Sequence, residues 1–216
     1  YRIRNVLDGI VLPKKNKPEI AVMNKKQQLR LEKYLDERPS VTSVGIAISM
    51  YMGLRIGEVC ALQWKEIDLE KRVLTVSKTI QRVQCRTGSK QTKLIITEPK
   101  SESSKRTIPI PDCLLPLLRR FKDNGEVYVV SGRKKPVEPR TMQYRFAKIL
   151  HNADLPSFHY HSLRHLFATR CVELGFDVKT LSEILGHSSV EVTLNRYIHS
   201  DMERKRTCMS LLSKCA

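Results

Sequence analysis

No apolar run in the 216-residue chain is long enough to span a bilayer, and no stretch has the layout of a signal peptide. A membrane partner is therefore not expected. The six cysteines (Cys60, Cys85, Cys113, Cys171, Cys208 and Cys215) form no C-x-x-C pair and are scattered through helical and strand patterns. That excludes a zinc ribbon and a disulfide framework, and points to a reducing compartment. Aromatic residues are only 6% of the chain, with Trp64 the single tryptophan. No internal repeat or low-complexity tract is present. Acid is the scarcest resource: 22 Asp and Glu face 39 Lys and Arg, a net charge of +17. A field of that sign favours a polyanion, nucleic acid first, with a basic ribosome-binding surface or plain solubility as the alternatives. The apolar share of 41% is ordinary, so a packed core is expected rather than a disordered arm.

Residues 1–18 are basic and end in a proline-bracketed lysine run, Pro13-Lys-Lys-Asn-Lys-Pro18, which reads as an extended linker. The chain opens in mid-pattern without a methionine, so a segment of a longer protein is expected. Residues 24–37 show amphipathic helical spacing, and Ser40 is placed to cap a following helix. Residues 41–52 are apolar almost all round, which predicts a buried helix ended by a left-handed Gly53. A helix over 56–62 follows, with Trp64 and Ile67 in the core. Alternating segments at 72–77, 81–84, 93–97 and 106–110 predict a small antiparallel sheet of three strands or one more. The remainder reads as helical: 113–122 capped by Asp112, 139–153, 161–174 ended by Gly175, and 178–185 capped by Asp177 and ended by Gly186. A short extended piece at 127–130 interrupts them. Ser188 and Glu191 form a capping box for a further helix, and a basic tail from Arg204 closes the chain. The fold class is thus α+β, mostly helical.

Several polar residues have the chemistry to hold a phosphate. His161 and Arg164 share one helical face near a helix N-terminus, the positive end of its dipole. The apolar stripe of the same helix runs through Leu163, Phe167, Cys171 and Leu174, opposite the His/Arg pair, which taken alone reads as a solvated face or as a phosphate-binding one. His187 sits in a tight corner between Gly186 and Ser188. Arg55 opens a helix and Glu58 can fold back on it; the pair could be purely structural, or its other donors could serve an anion. Lys100 lies in a polar loop, with Lys93 and Lys105 as rivals for any proton transfer. Tyr197 alone is an unremarkable helix-end tyrosine, and its ordinary pKa near 10 makes it a poor nucleophile without a positive field. A metal reading of His161, His165 and His187 is disfavoured, since no Asp or Glu shares their spacing and the neighbouring cations repel one.

In combination these residues are far more specific. Gly53-Leu-Arg-Ile-Gly-Glu58, then Pro99-Lys100, then His161-x-x-Arg164-His165, then Leu185-Gly186-His187, then Tyr197 occur in that order. The order resembles the catalytic domain of the tyrosine recombinases (the phage integrase family), over residues 21–200, with conjugative-transposon and phage integrases the nearest in kind. The resemblance implies that Tyr197 attacks a DNA phosphate to give a 3′-phosphotyrosyl link. Arg55, Arg164 and His187 would hold the phosphate, Lys100 would protonate the leaving 5′-oxygen, His161 would assist at the tyrosine, and Glu58 would orient Arg55. It implies no metal and no ATP or other cofactor. The implied partners are double-stranded DNA, a homotetramer on two duplexes, and DNA-bending accessory factors, in the bacterial cytoplasm at the nucleoid. Residues 1–20 would be the linker from, or the end of, a missing core-binding domain, and 201–216 a tail that could dock on a neighbouring protomer. Ten positions separate His187 from Tyr197, one more than in many family members. A type IB topoisomerase and a DNA-binding protein without catalysis are the competing readings.

Overall fold

The computed structural model describes residues 23–84, 92–98, 104–123, 125–187, 189–197, 206 and 209–210, with side chains of the helix that ends at Tyr197 described to residue 194. The expected linker and most of the basic tail lie outside the described residues. So does Ser188.

Helix α1 (Lys25–Glu37) starts at a complete capping box between Asn24 and Gln27 and buries Leu31 and Leu35. Helix α2 (Val41–Met52) is the central post. Ser40 accepts a hydrogen bond from the Ser43 amide, and Gly53 ends the helix in the left-handed conformation at φ 69°. Its near-continuous apolar surface is matched by neighbours on every side: α3 (Ile56–Ala61), α4 (Leu115–Phe121), α5 (Pro139–Asn152) and α6 (His161–Glu173) all pack on it. Tyr160 ties the start of α6 to this post. Its hydroxyl donates to the Gly45 carbonyl at 3.0 Å and meets Ser49 Oγ at 2.9 Å, while its ring stands edge-on to Phe146 at 5.4 Å. Burial pushes the Tyr160 phenol well above its ordinary pKa. Helices α7 (Val178–Leu185) and α8 (Val190–Tyr197) close the fold, α7 capped by Asp177 through the Thr180 amide at 2.8 Å.

The β structure departs from the single sheet expected. Strands β1 (Ile67–Asp68), β2 (Val73–Val76) and β5 (Arg106–Pro109) form one antiparallel sheet in the order β1-β2-β5. Strands β3 (Thr79–Gln84) and β4 (Thr92–Thr97) form a separate hairpin sheet. Alternation identifies strands but not partners, and the break at Ser77-Lys78 lets the hairpin leave between β2 and β5. The helix expected from 113 begins instead as a 3-10 turn (Asp112–Leu114), with Pro116 accommodated in the first turn of α4. Asp112 is not its cap; its carboxylate pairs with Arg72 at 2.9 Å. No helix among the described residues is long and apolar enough to cross a membrane.

Candidate active site

Two left-handed glycine corners face each other, Gly53 after α2 and Gly186 after α7. The chain must reverse sharply at both, and only glycine does so without strain. A side chain at Gly53 would run into Phe167 and Leu185, and one at Gly186 into the Arg106 guanidinium at 2.9 Å. Close packing as well as φ therefore dictates glycine at each corner.

Three arginines from three elements converge on the end of α7. Arg106 Nε donates to the Ile184 carbonyl at 2.6 Å, Arg164 Nη2 to Leu185 at 2.7 Å and Arg55 Nη2 to Gly186 at 3.1 Å. The terminal carbonyls of a helix lack intrahelical partners and carry the negative end of its dipole, so cations belong there. Arg164 also donates Nη1 to the Gly53 carbonyl at 2.7 Å, bridging the two corners.

Glu58 supplies the counter-charge. Its carboxylate is only 4% exposed. Oε1 accepts from Arg55 Nη1 at 2.9 Å and Arg106 Nη1 at 3.1 Å; Oε2 accepts from Arg106 Nη2 at 3.0 Å and the Arg55 amide at 2.8 Å. Burial alone would push this carboxyl upward, but the Arg106 hydrogen bonds and charge, with those of Arg55, hold it below the ordinary carboxylate range. Directly after Gly186, His187 is buried, and its Nδ1 lies 2.8 Å from Thr193 Oγ1 on α8. Thr193 is itself fully buried. This contact holds the ring in place, with the hydroxyl able to donate to or accept from Nδ1.

Arg55, Glu58, Arg164 and His187 are thus brought together. Arg55 has the most open side chain of the four, 38% exposed. The expectation that His161 and Arg164 share a solvated face is corrected. Arg164 is only 2% exposed, because α7 and the Gly53 corner cover that face, while Leu174 of the expected apolar stripe is 70% exposed. His161 remains exposed at the start of α6, with its ring edge-on to His165 at 4.8 Å. Lys100 lies outside the described residues. Tyr197 is the last residue of α8, with its side chain outside them too. Lys93 is an exposed residue of β4. Arg106 is the residue that sequence reasoning missed. Its alternation on β5 marks a strand position, and nothing local signals a buried cation.

The sequence model of the phage integrase family matches residues 21–204. The chain belongs to the phage integrase family. A XerC-like tyrosine recombinase of Caldanaerobacter subterraneus subsp. tengcongensis is 33% identical over 180 residues, 74% of this chain and 46% of the relative. The transposase of transposon Tn916 from Enterococcus faecalis is 26% identical over 234 residues, 99% of this chain and 55% of the relative. Among solved structures, the Tn1549 transposon integrase in complex with transposon right-end DNA superimposes with a TM-score of 0.73 at 26% identity, covering 94% of this chain and 69% of that one. The chain spans about half the length of the curated relatives it matches. The fold is that of a tyrosine recombinase catalytic domain, mostly helical with small antiparallel sheets.

Proposed function

We propose that this chain is the catalytic domain of a site-specific DNA recombinase that cuts and rejoins strands through a 3′-phosphotyrosine. The observation that carries the reading is the convergence of Arg55, Arg164 and His187 on one corner, with a buried carboxylate behind Arg55. A phosphodiester passing through a pentacoordinate state gains negative charge on its non-bridging oxygens. Fixed guanidinium and imidazole donors stabilise that charge without reorganising. Arginine offers five donors in a planar fork, so Arg55 and Arg164 can hold the corner and still address a phosphate.

In this reading Tyr197 Oη attacks the phosphorus and the bond to the 5′-oxygen breaks. His161 takes part in removing the tyrosine proton, and Lys100 delivers a proton to the departing 5′-oxygen. The phosphoester energy stays in the protein–DNA bond, so a 5′-hydroxyl of another strand can reverse the step without ATP. The same reading makes double-stranded DNA the partner, through the +17 charge. It makes a homotetramer the recombining species, with residues 1–20 leading from a further DNA-binding domain and 201–216 reaching a neighbouring protomer. Accessory DNA-bending proteins would set the geometry of the assembly. The likeness to the Tn916 and Tn1549 proteins supports integration and excision of a mobile element as the role.

The test is a nicked duplex built from the DNA that flanks the coding gene, incubated with the intact protein and run under denaturing conditions. A covalent protein–DNA band is expected with the parent protein and none with Tyr197→Phe. An equal band from Tyr197→Phe, or relaxation of supercoils of any sequence, would overturn the reading.

A further inference from the structure

Arg106 is far more buried than Arg55, the most open of the proposed phosphate ligands: its side chain is 7% exposed against 38%. It is turned toward Glu58. Its guanidinium makes two parallel hydrogen bonds to that carboxylate, at 3.1 and 3.0 Å, a bidentate pairing of planar groups. The same side chain reaches the Ile184 carbonyl through Nε at 2.6 Å, and the Ser104 carbonyl through Nη1 at 3.0 Å. It therefore joins four things: α3 through Glu58, the end of α7, its own strand β5, and the residue that leads into that strand.

We infer that Arg106 is a positioning residue for the strand-cleavage reaction, holding Glu58 so that Glu58 in turn aims Arg55 at the phosphate. The inference rests on the proposed phosphotyrosine chemistry. Its physical content is a division of labour over one carboxylate. A buried carboxylate facing Arg55 alone would be under-compensated where so little solvent reaches it. With Arg106 behind it, the two oxygens accept four hydrogen bonds in all, two from each arginine residue. The Arg55 contact is then fixed in direction, and Arg55 retains its approach to Gly186 on the other side. The other charged or titratable groups around this corner are Lys105 on the β5 side and Lys179, Glu183 and His187 from the α7 side, which line a cavity of about 350 Å³ with Arg106. Glu183 is the single acid among them, and the charges that hold Glu58 ionised are those of Arg106 and Arg55.

The test compares Arg106→Gln and Arg106→Lys with the parent in the intact protein, using the nicked flanking-DNA duplex. Three quantities are read: DNA affinity, the single-turnover rate of covalent adduct formation, and the dependence of that rate on pH. With Gln, the rate is expected to fall about 10-fold to 100-fold, the range for a misaligned reacting group, while affinity changes little. The acid limb of the rate profile should move to higher pH, since Glu58 loses its main cationic partner. Lys restores the charge without the fork, so the limb should return toward the parent position while the rate stays reduced. A parent-like rate and limb in both variants, with only a lower melting temperature, would overturn the inference. Should Arg106→Gln not fold, Arg106→Lys decides alone: a slowed rate at unchanged affinity supports the role, and a parent-like rate refutes it. If the parent forms no adduct, or Tyr197→Phe still forms one, the phosphotyrosine reading fails and this inference falls with it.

Discussion

Arg164 Nη1 donates to the carbonyl oxygen of Gly53 at 2.7 Å. One guanidinium thereby fastens the end of α2 to α6, and its other arm fastens the end of α7 at Leu185. The residue proposed to bind phosphate is also the bolt between the two glycine corners. Both carbonyls belong to tight reversals, where backbone partners are few.

Arg164→Lys keeps the charge but replaces two separated guanidinium nitrogens with one ammonium nitrogen, which loses the fork that spans both carbonyls. Leaving one buried carbonyl short costs about 1–3 kcal/mol. The melting temperature should therefore drop by several degrees, read by calorimetry, and adduct formation should be lost. An unchanged melting curve would show that the carbonyl bridge contributes nothing to the fold.

The His187–Thr193 contact at 2.8 Å links the corner to α8, the helix that ends at Tyr197. Thr193→Val keeps the shape and removes the hydroxyl. A loss of about 1 kcal/mol in unfolding free energy is expected from the missing hydrogen bond. A fall of about tenfold in adduct rate is expected from an imidazole that is no longer held in one orientation. Thr193→Ser should recover most of both. If Ser and Val behave alike, the hydroxyl is not what orients the ring.

Glu58 gives a pH signature of stability. Its carboxyl is held below the ordinary range in the folded protein, so the unfolded chain binds the proton more readily in that window. The stabilisation is complete above the unfolded pKa, about 4.3, and is lost as pH falls through the lower folded value. Glu58→Gln has nothing to titrate there. Denaturant melts below about pH 5 should show the parent losing stability more steeply than this variant. Parallel curves would mean that the carboxylate does not carry the shift.

Much of the local architecture was legible in residue order. Ser40 and Asp177 cap the helices they precede, Gly53 and Gly186 end them, and α2 is buried because no face of it is polar. These are signals within a turn or two of the chain. The order of the polar clusters also identified the family. What stayed hidden was pairing at a distance. Strand alternation could not say that β2 would leave β3 for β5, 30 residues on, since register is settled by the partner. Arg106 was invisible for the same reason: its partners Glu58 and Ile184 lie 48 and 78 residues away. Arg164 looked solvated because helical periodicity cannot show what a later helix will cover.

The three arginines on the end of α7 also set an order of events during synthesis. Arg55 reaches its carbonyl across 131 residues, and Arg106 reaches its own across 78. Contacts so distant form only after the intervening chain is closed, and loop closure of that length is slow. A chain still leaving the ribosome holds most of the Lys and Arg of this sequence before the carbonyls at 184–186 exist. The positive charge comes first, and the fixed guanidinium cluster comes only once α7 is made. On the proposed function, an unfinished protein has the charge to meet DNA but no assembled corner with which to cut it.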